Sequence, residues 1–447
     1  MKRDNENLIN LTRKMVMKRN VKLLGTMAML SMALASCTTD ELKEVYQGEK
    51  ISFTTRMTRA VATTTNNLKA FRVYADADGY PDWFIDGDTA RRDGNSNIFS
   101  ILSKTGGSYF WPSDVKKIKF WAYGPIDPDN SENSINIKPN MTVGTQSFEH
   151  FSPSSDDDKD KKHMIDGGKS HKDFIVAYAE AERGGTNTDG TTVELHFNHA
   201  LSQIVVKAKC PDVEKNVKIR GAWLMNVKST GLLVFQDGYV NNMKWTTTAD
   251  LGNYGVTLGS VKEVTPRTDY SFLIGSNDEE NNTSLMLVPQ KDDAVDMWNP
   301  DSNPDGAYIL LLCRVEAVHK GATHTGGSTD DVLVEGNKHI HQLFPVRDKY
   351  NAKEYGYTCV AIEPDWEPGK KYVYNLEFCG PKSGAGVYPP ENVGSTPGLP
   401  ANGEDLEIVT KRPDDKNVGD PVLDNPIKFK VDVIDWDNGN VPDIPMP

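Results

Sequence analysis

Cys37 is the residue whose type and setting most directly specify a chemistry. It follows Leu34-Ala35-Ser36, small residues of the kind a lipoprotein signal peptidase accepts, and a cysteine sulfur at that point is the acceptor for a diacylglycerol group. Residues 1–22 hold seven basic side chains against Asp4 and Glu6, and an apolar run from Leu23 to Ala35 follows. Basic start, short apolar run and small-residue cleavage site together form a secretory signal, too short to span a bilayer. Residues 1–36 are therefore expected to be a signal peptide, with Cys37 lipidated. An ordinary cleaved signal with a coincidental cysteine is the alternative. Met17-Lys18-Arg19 also has the form of a signal start, which would put residues 1–16 upstream of the natural start.

Other reactive residue types are present in weaker patterns. His339-Ile340-His341 puts two imidazoles on one face of a strand, with His319 and His324 upstream. Zinc or copper needs further ligands at a defined spacing, and none is found, so no metal site is expected. The run from Asp156 to His163 clusters carboxylates, but it lacks the spacing and turn glycine of a calcium loop and interleaves lysines, which points to a solvated loop. His196 and His199 are expected to be packed or solvated rather than catalytic. Four cysteines remain beyond Cys37, at positions 210, 313, 359 and 379; in an oxidising compartment they could form two disulfides or stay as buried thiols. The sequence holds no Gly-x-Ser-x-Gly, His-Glu-x-x-His, P-loop or dinucleotide fingerprint. No catalytic residue and no cofactor are expected. Paired carboxylates of a glycosidase leave no such signature, and Trp83 and Trp298, in polar surroundings, are candidates for exposed sugar contacts.

The elements that would position these residues are strands. Gly (36) and Pro (25) disfavour long helices, while 38% hydrophobic residues allow a packed core. Period-two alternation recurs in Leu68–Tyr74, Ile118–Tyr123, Val193–Phe197 and Leu201–Lys209, and again from Val217 onward to Tyr372–Phe378. Asp-, Asn-, Gly- and Pro-rich loops separate them, Tyr80–Asn97 among these. Ile427–Trp436 is the most regular alternation of all. This predicts an all-β chain with three parts after the signal: 37–66, a lipidated segment with a first strand; 67–209, a β-sandwich; and 210–447, a second β-sandwich that holds a long loop at 380–425 before a terminal strand at 427–436. The balance of 50 basic and 63 acidic residues, −13, argues against nucleic acid as a partner. Removing residues 1–36 takes away seven basic and two acidic groups, a net +5, so the charge becomes −18 on about 411 residues.

Several stretches occur in a telling order: the lipobox at Cys37, Ile51-Ser-Phe53-Thr-Thr-Arg56-Met-Thr-Arg59-Ala60, and Tyr109-Phe-Trp111-Pro112 before Ile118–Tyr123. After them come Asp173–Ala177, Leu195–Ile204, Trp366-Glu-Pro-Gly369-Lys-Lys-Tyr372-Val-Tyr374 and the terminal strand. In this order they resemble the fimbrillin family, the type V pilus lipoproteins of Gram-negative anaerobes. The resemblance implies two tandem transthyretin-like, Greek-key β-sandwich domains. It also implies a pilus subunit exported as an outer-membrane lipoprotein and assembled into a surface fimbrium by strand exchange, as shaft or tip.

On that resemblance, a protease cuts after Arg56 or Arg59, the first strand leaves, and a strand from the next subunit fills the groove. The donor candidate is the face formed by Ile427, Phe429, Val431 and Val433; a final strand of its own sheet is the alternative. The implied partners are other pilin subunits, in a homo- or hetero-polymer, the outer membrane through the lipid anchor, and a host or bacterial surface ligand for adhesion. A different class, a glycan-binding surface lipoprotein, would share the anchor and the sandwiches but act through aromatic loops.

Overall fold

Residues 70–77 read Ala-Phe-Arg-Val-Tyr-Ala-Asp-Ala and alternate between a buried and a partly solvated face, the period of a pleated strand covered on one side. The computed structural model describes residues 50–57, 67–131, 134–135, 137, 139–142, 145–153, 162–183, 188–189, 192–236, 243–264, 269–277, 282–291, 295–321, 332–391, 393 and 406–435. Among them the chain is almost all β, as expected.

The strands up to residue 199 are β1 (Ser52–Met57), β2 (Ala70–Ala77), β3 (Ile85–Arg92), β4 (Ile98–Ile101), β5 (Lys117–Ile126), β6 (Asn140–Thr142), β7 (Thr145–Phe151), β8 (Ile175–Glu182), β9 (Thr188–Asp189) and β10 (Thr192–His199). A short helix, α1 (Lys162–Ile165), lies between β7 and β8. Next come β11 (Ser202–Lys209), β12 (Lys215–Lys228), β13 (Gly231–Gln236), β14 (Lys244–Thr247), β15 (Leu251–Val264), β16 (Ser271–Ile274) and β17 (Leu285–Leu287). The rest are β18 (Tyr308–Lys320), β19 (Val332–Glu335), β20 (Lys338–Phe344), β21 (Glu354–Ala361), β22 (Lys370–Glu377), β23 (Glu407–Val409) and β24 (Lys428–Asp435).

The first sheet runs β1-β4-β3-β2-β5-β8-β10-β9, and β1 pairs a second time, with β10, so the sheet closes on itself. Phe53, Phe71, Phe99, Phe120, Leu195 and Phe197 fill its interior. A second sheet, β16-β11-β22-β24 with β17 on β11, faces a third built on β15-β12-β18-β20-β19 with β21 and β23 alongside. One apolar core joins these two, drawing Ile204, Val206 and Tyr374 from one side and Ile219, Leu224 and Leu311 from the other. The alternation at 201–209 thus hydrogen-bonds with later strands. A small sheet, β14-β13-β7-β6, mixes early and late strands and packs Phe148, Leu233 and Trp245 against Trp121 and Tyr123 of β5.

Three places differ from the sequence reading. β3 lies inside the stretch expected to be a loop, Tyr80–Asn97, because its sequence, IDGDTARR, is polar yet buries Ile85, Asp88 and Ala90. Asp88 is tolerated there because it accepts the Tyr109 hydroxyl. β15 is masked in the sequence by its glycines; a Cβ at Gly255 would stand 2.2 Å from the Ala222 carbonyl and 2.6 Å from the Trp223 ring, so only glycine fits beneath the indole. In the segment 380–425, expected as a loop rather than core, the described residues are packed and include the short β23. Ala385, Tyr388 and Val422 join the inter-sheet core, and Val393, with Leu406, Ile408 and Val418, helps cover the opposite face of the third sheet.

Phe53 is fully buried, with its ring edge-on to Phe71 at 6.0 Å and Phe120 at 5.5 Å. Phe53→Ala is expected to destabilise the protein by about 3–5 kcal/mol, read as a lower urea midpoint. A change below about 1 kcal/mol would contradict the packing role given to β1.

Candidate functional site

Two strands bear the residues that sequence singled out, and their settings are opposite. β1 is held on both edges. It runs parallel to β10 from Ser52↔Thr192 to Met57↔Phe197 and antiparallel to β4 from Ser52↔Ser100 to Thr54↔Ile98. Ile51, Phe53 and Thr55 are 0–1% exposed, while Ser52, Thr54 and Arg56 turn outward. Where pairing with β4 stops, Asn97 takes over: Thr55 Oγ1 donates to Asn97 Oδ1 at 3.1 Å, and Asn97 Nδ2 donates to the Thr55 carbonyl at 2.9 Å. Ser52 and Thr192 hydroxyls meet at 2.9 Å.

Arg56 stands on β1 opposite His196. Its Nε is 2.5 Å from Glu194 Oε1, and its side chain is 71% exposed. An exposed ion pair of this kind contributes at most about 1 kcal/mol, so the guanidinium is available while the peptide bond beside it is shielded by the ladder. Arg59 and Cys37 lie outside the described residues.

β24 is held on one edge. It pairs antiparallel with β22 from Lys428↔Glu377 to Asp435↔Lys370, and among the described residues no strand pairs its outer side. Of the four predicted donor side chains, Phe429, Val431 and Val433 therefore lie within the chain's own sheet, and Ile427 directly precedes it. Ile427 is 5% exposed, Phe429 38% and Val433 57%, and Val431 packs partly against the inter-sheet core. Phe429 leans on Tyr374, with centroids 6.1 Å apart. The other face is mostly polar: Asn375 Nδ2 donates to Asp432 Oδ2 at 2.8 Å and Lys430 pairs with Asp432 at 2.7 Å, beside a half-buried Ile434, while Lys370 pairs with Asp435 at the end of the apolar face. The Asp432 carboxylate raises the Lys430 ammonium above its usual range. Burial lowers the Lys371 ammonium, and the neighbouring Lys207 charge acts in the same direction. β24 is thus a strand with an open edge and half of its apolar face unfilled.

The remaining candidates resolve differently. Trp298 is 4% exposed, and Trp83 packs edge-on against Trp121 at 5.3 Å. Trp298 is a core residue, which corrects its reading as an exposed sugar contact, and Trp83 is half-buried against the core. His199 is buried against Asp173, Nδ1 to Oδ1 at 3.1 Å, whereas His196 is exposed beside Glu194. Register sets His319 opposite His339, and His319 Nε2 comes within 3.0 Å of His341 Nε2. Among the described residues no group of three His, Cys, Asp or Glu could hold a metal ion. His324 and residues 156–161 lie outside the described residues. Sequence reasoning misses Asn97, Glu194 and the closure of β1 onto β10, because strand partners distant in sequence leave no local signal.

The sequence model of a family described as fimbrillin-like matches residues 55–387. Over 204 residues the chain is 27% identical to fimbrium subunit Fim1C of Phocaeicola vulgatus, covering 42% of this chain and 51% of that one. The match thus spans about half the length of that relative. Among solved structures, the tip fimbrial protein Mfa3 of Porphyromonas gingivalis aligns over 86% of this chain and 98% of its own, at 9% identity and a TM-score of 0.32. A cell-adhesion candidate from Bacteroides eggerthii aligns over 87% and 97%, at 12% identity and a TM-score of 0.37.

The contrast between β1 and β24 makes a prediction for hydrogen exchange. Amides of β24 should exchange at least roughly ten-fold faster than those of β18, which has paired neighbours on both sides. Equal protection would show β24 to be a fixed part of the sandwich.

Proposed function

The chain belongs to the fimbrillin-like family, and from that membership we propose that it is a structural subunit of a surface fimbrium, assembled by exchange of β1 for a β24 strand of another subunit. The proposal includes export as an outer-membrane lipoprotein through Cys37, proteolysis after Arg56 or Arg59, and no enzymatic step.

One observation carries the exchange. Ile51-Ser52-Phe53-Thr54-Thr55 and Ile427-Lys428-Phe429-Lys430-Val431 share the pattern Ile-x-Phe-x-β-branched. In β1 the three patterned side chains are fully buried; in β24 the phenylalanine is 38% exposed. When β1 leaves, the edges of β4 and β10 lose their partner, and the places of Ile51, Phe53 and Thr55 in the core open. A β24 strand from a second subunit offers Ile427, Phe429 and Val431 at the matching spacing. Backbone bonds then supply affinity and the alternate side chains set register. An open groove is an aggregation hazard, and retaining β1 until export keeps it closed.

Arg56 and Arg59 divide the task differently. A cut after Arg56 falls within β1 and needs local opening of its ladder; a cut after Arg59 falls just beyond the strand. Either leaves Ile51, Phe53 and Thr55 on the released piece.

The assembled protein is expected to begin at Met57 or Ala60 on N-terminal sequencing; a Cys37 terminus throughout the polymer would contradict cleavage. Phe429→Asp should leave a folded, exported monomer, because the side chain is already partly solvated, and should abolish filament labelling by electron microscopy. Normal filaments built from that variant would contradict donation by β24.

A further inference from the structure

We propose that Cys210 and Cys379 are a disulfide pair in the exported protein, while Cys313 and Cys359 remain thiols. The compartment half of this proposal rests on the export reading above; the pairing rests on geometry alone.

β11 and β22 run parallel with Lys209 opposite Glu377, and their side chains meet at 3.1 Å. One residue further, the Phe378 amide donates to the Lys209 carbonyl at 2.8 Å. Cys210 follows β11 directly and Cys379 follows Phe378, so the two cysteines leave adjacent strands side by side. Both contribute to the inter-sheet core, at 0% and 8% exposure, and each thiol shifts the ionisation of the other. Cys210 Sγ otherwise reaches the carbonyls of Asp212 and Lys215, at 3.8 and 3.9 Å.

The other two cysteines are placed differently. Cys359 lies opposite Leu310, and Cys313 opposite Gly356. Cys313 faces the inter-sheet core and Cys359 the opposite side of the same sheet, so no bond can join them across β18 and β21. Burial pushes both of these thiols up, away from the reactive thiolate. In the first pair the Cys379 thiol moves Cys210 the other way, while Cys210 pushes Cys379 up.

The step is thiol–disulfide exchange with a disulfide donor during folding, before burial is complete. The Cys210 thiolate attacks the donor disulfide and releases one donor thiol. The Cys379 thiolate then displaces the second, leaving one protein disulfide and two donor thiols.

The test compares two samples of wild-type protein, each denatured with iodoacetamide and no reductant, then digested and mapped by mass spectrometry. One is refolded with reduced and oxidised glutathione; the other is taken from cell envelopes. The expected result in both is a linked Cys210–Cys379 peptide pair with Cys313 and Cys359 alkylated. Alkylated Cys210 and Cys379 in both samples, or a bridge to Cys313 or Cys359, would overturn the pairing. A bridge in glutathione with free thiols in the envelope sample would overturn the proposal through its export premise. Filament formation does not enter the readout, so failure of strand exchange leaves these outcomes unaffected.

Discussion

A strand edge in water is a row of unpaired amides and carbonyls, and the first sheet hides two such rows by a single insertion. β1 pairs with β10 along its length and with β4 along its first half, turning an open sheet into a closed one. The same insertion delivers Ile51, Phe53 and Thr55 to the interior, so ladder closure and core filling are one event. Phe53 touches Phe71 and Phe120, on the two central strands of the sheet, and the aromatic interior is organised around it. A structure that relies on one terminal strand in this way is stable while the strand stays and has a shaped vacancy when it goes.

The second half of the molecule handles its edges differently. Among the described residues β24 ends its sheet with one side unpaired, bearing Lys428 and Lys430, charged side chains of the kind that discourage edge-to-edge pairing. Its pairing to β22 is complete, but Phe429 and Val433 remain substantially solvated. A strand that has satisfied its hydrogen bonds on one side and left apolar surface uncovered takes less free energy to detach than β1. The difference between the two strands is one of burial and edge pairing, since their sequence patterns nearly coincide.

Much of this architecture is legible in the amino-acid sequence. Regular alternation marks β2, β5, β10, β11, β22 and β24, because one buried face imposes a period of two. β3 escapes that signal because its inward positions include an aspartate and small residues, and β15 because close approach to Trp223 demands glycine. The packing of the described residues within 380–425 is hidden for a related reason. Its buried residues, Ala385, Tyr388, Val393 and Val422, are too far apart for any period. At the candidate site, Arg56 and the Ile427–Val433 face can be named from sequence, but their partners Glu194, Asn97 and Tyr374 cannot. Long-range pairing is set by tertiary packing, which no local window contains. Trp298 errs in the opposite direction, since polar neighbours in sequence do not keep it in solvent.

The central claim is that Phe429 of one subunit occupies the place Phe53 leaves in another. Photo-crosslinking tests it directly: Phe429→benzoylphenylalanine is introduced, and filaments are grown from mixed isotopically light and heavy chains. Irradiated filaments should yield peptides joining position 429 of one chain to the Phe71 or Phe120 region of a chain of the other isotope. Crosslinks confined to the Tyr374 region of the same chain would contradict the claim.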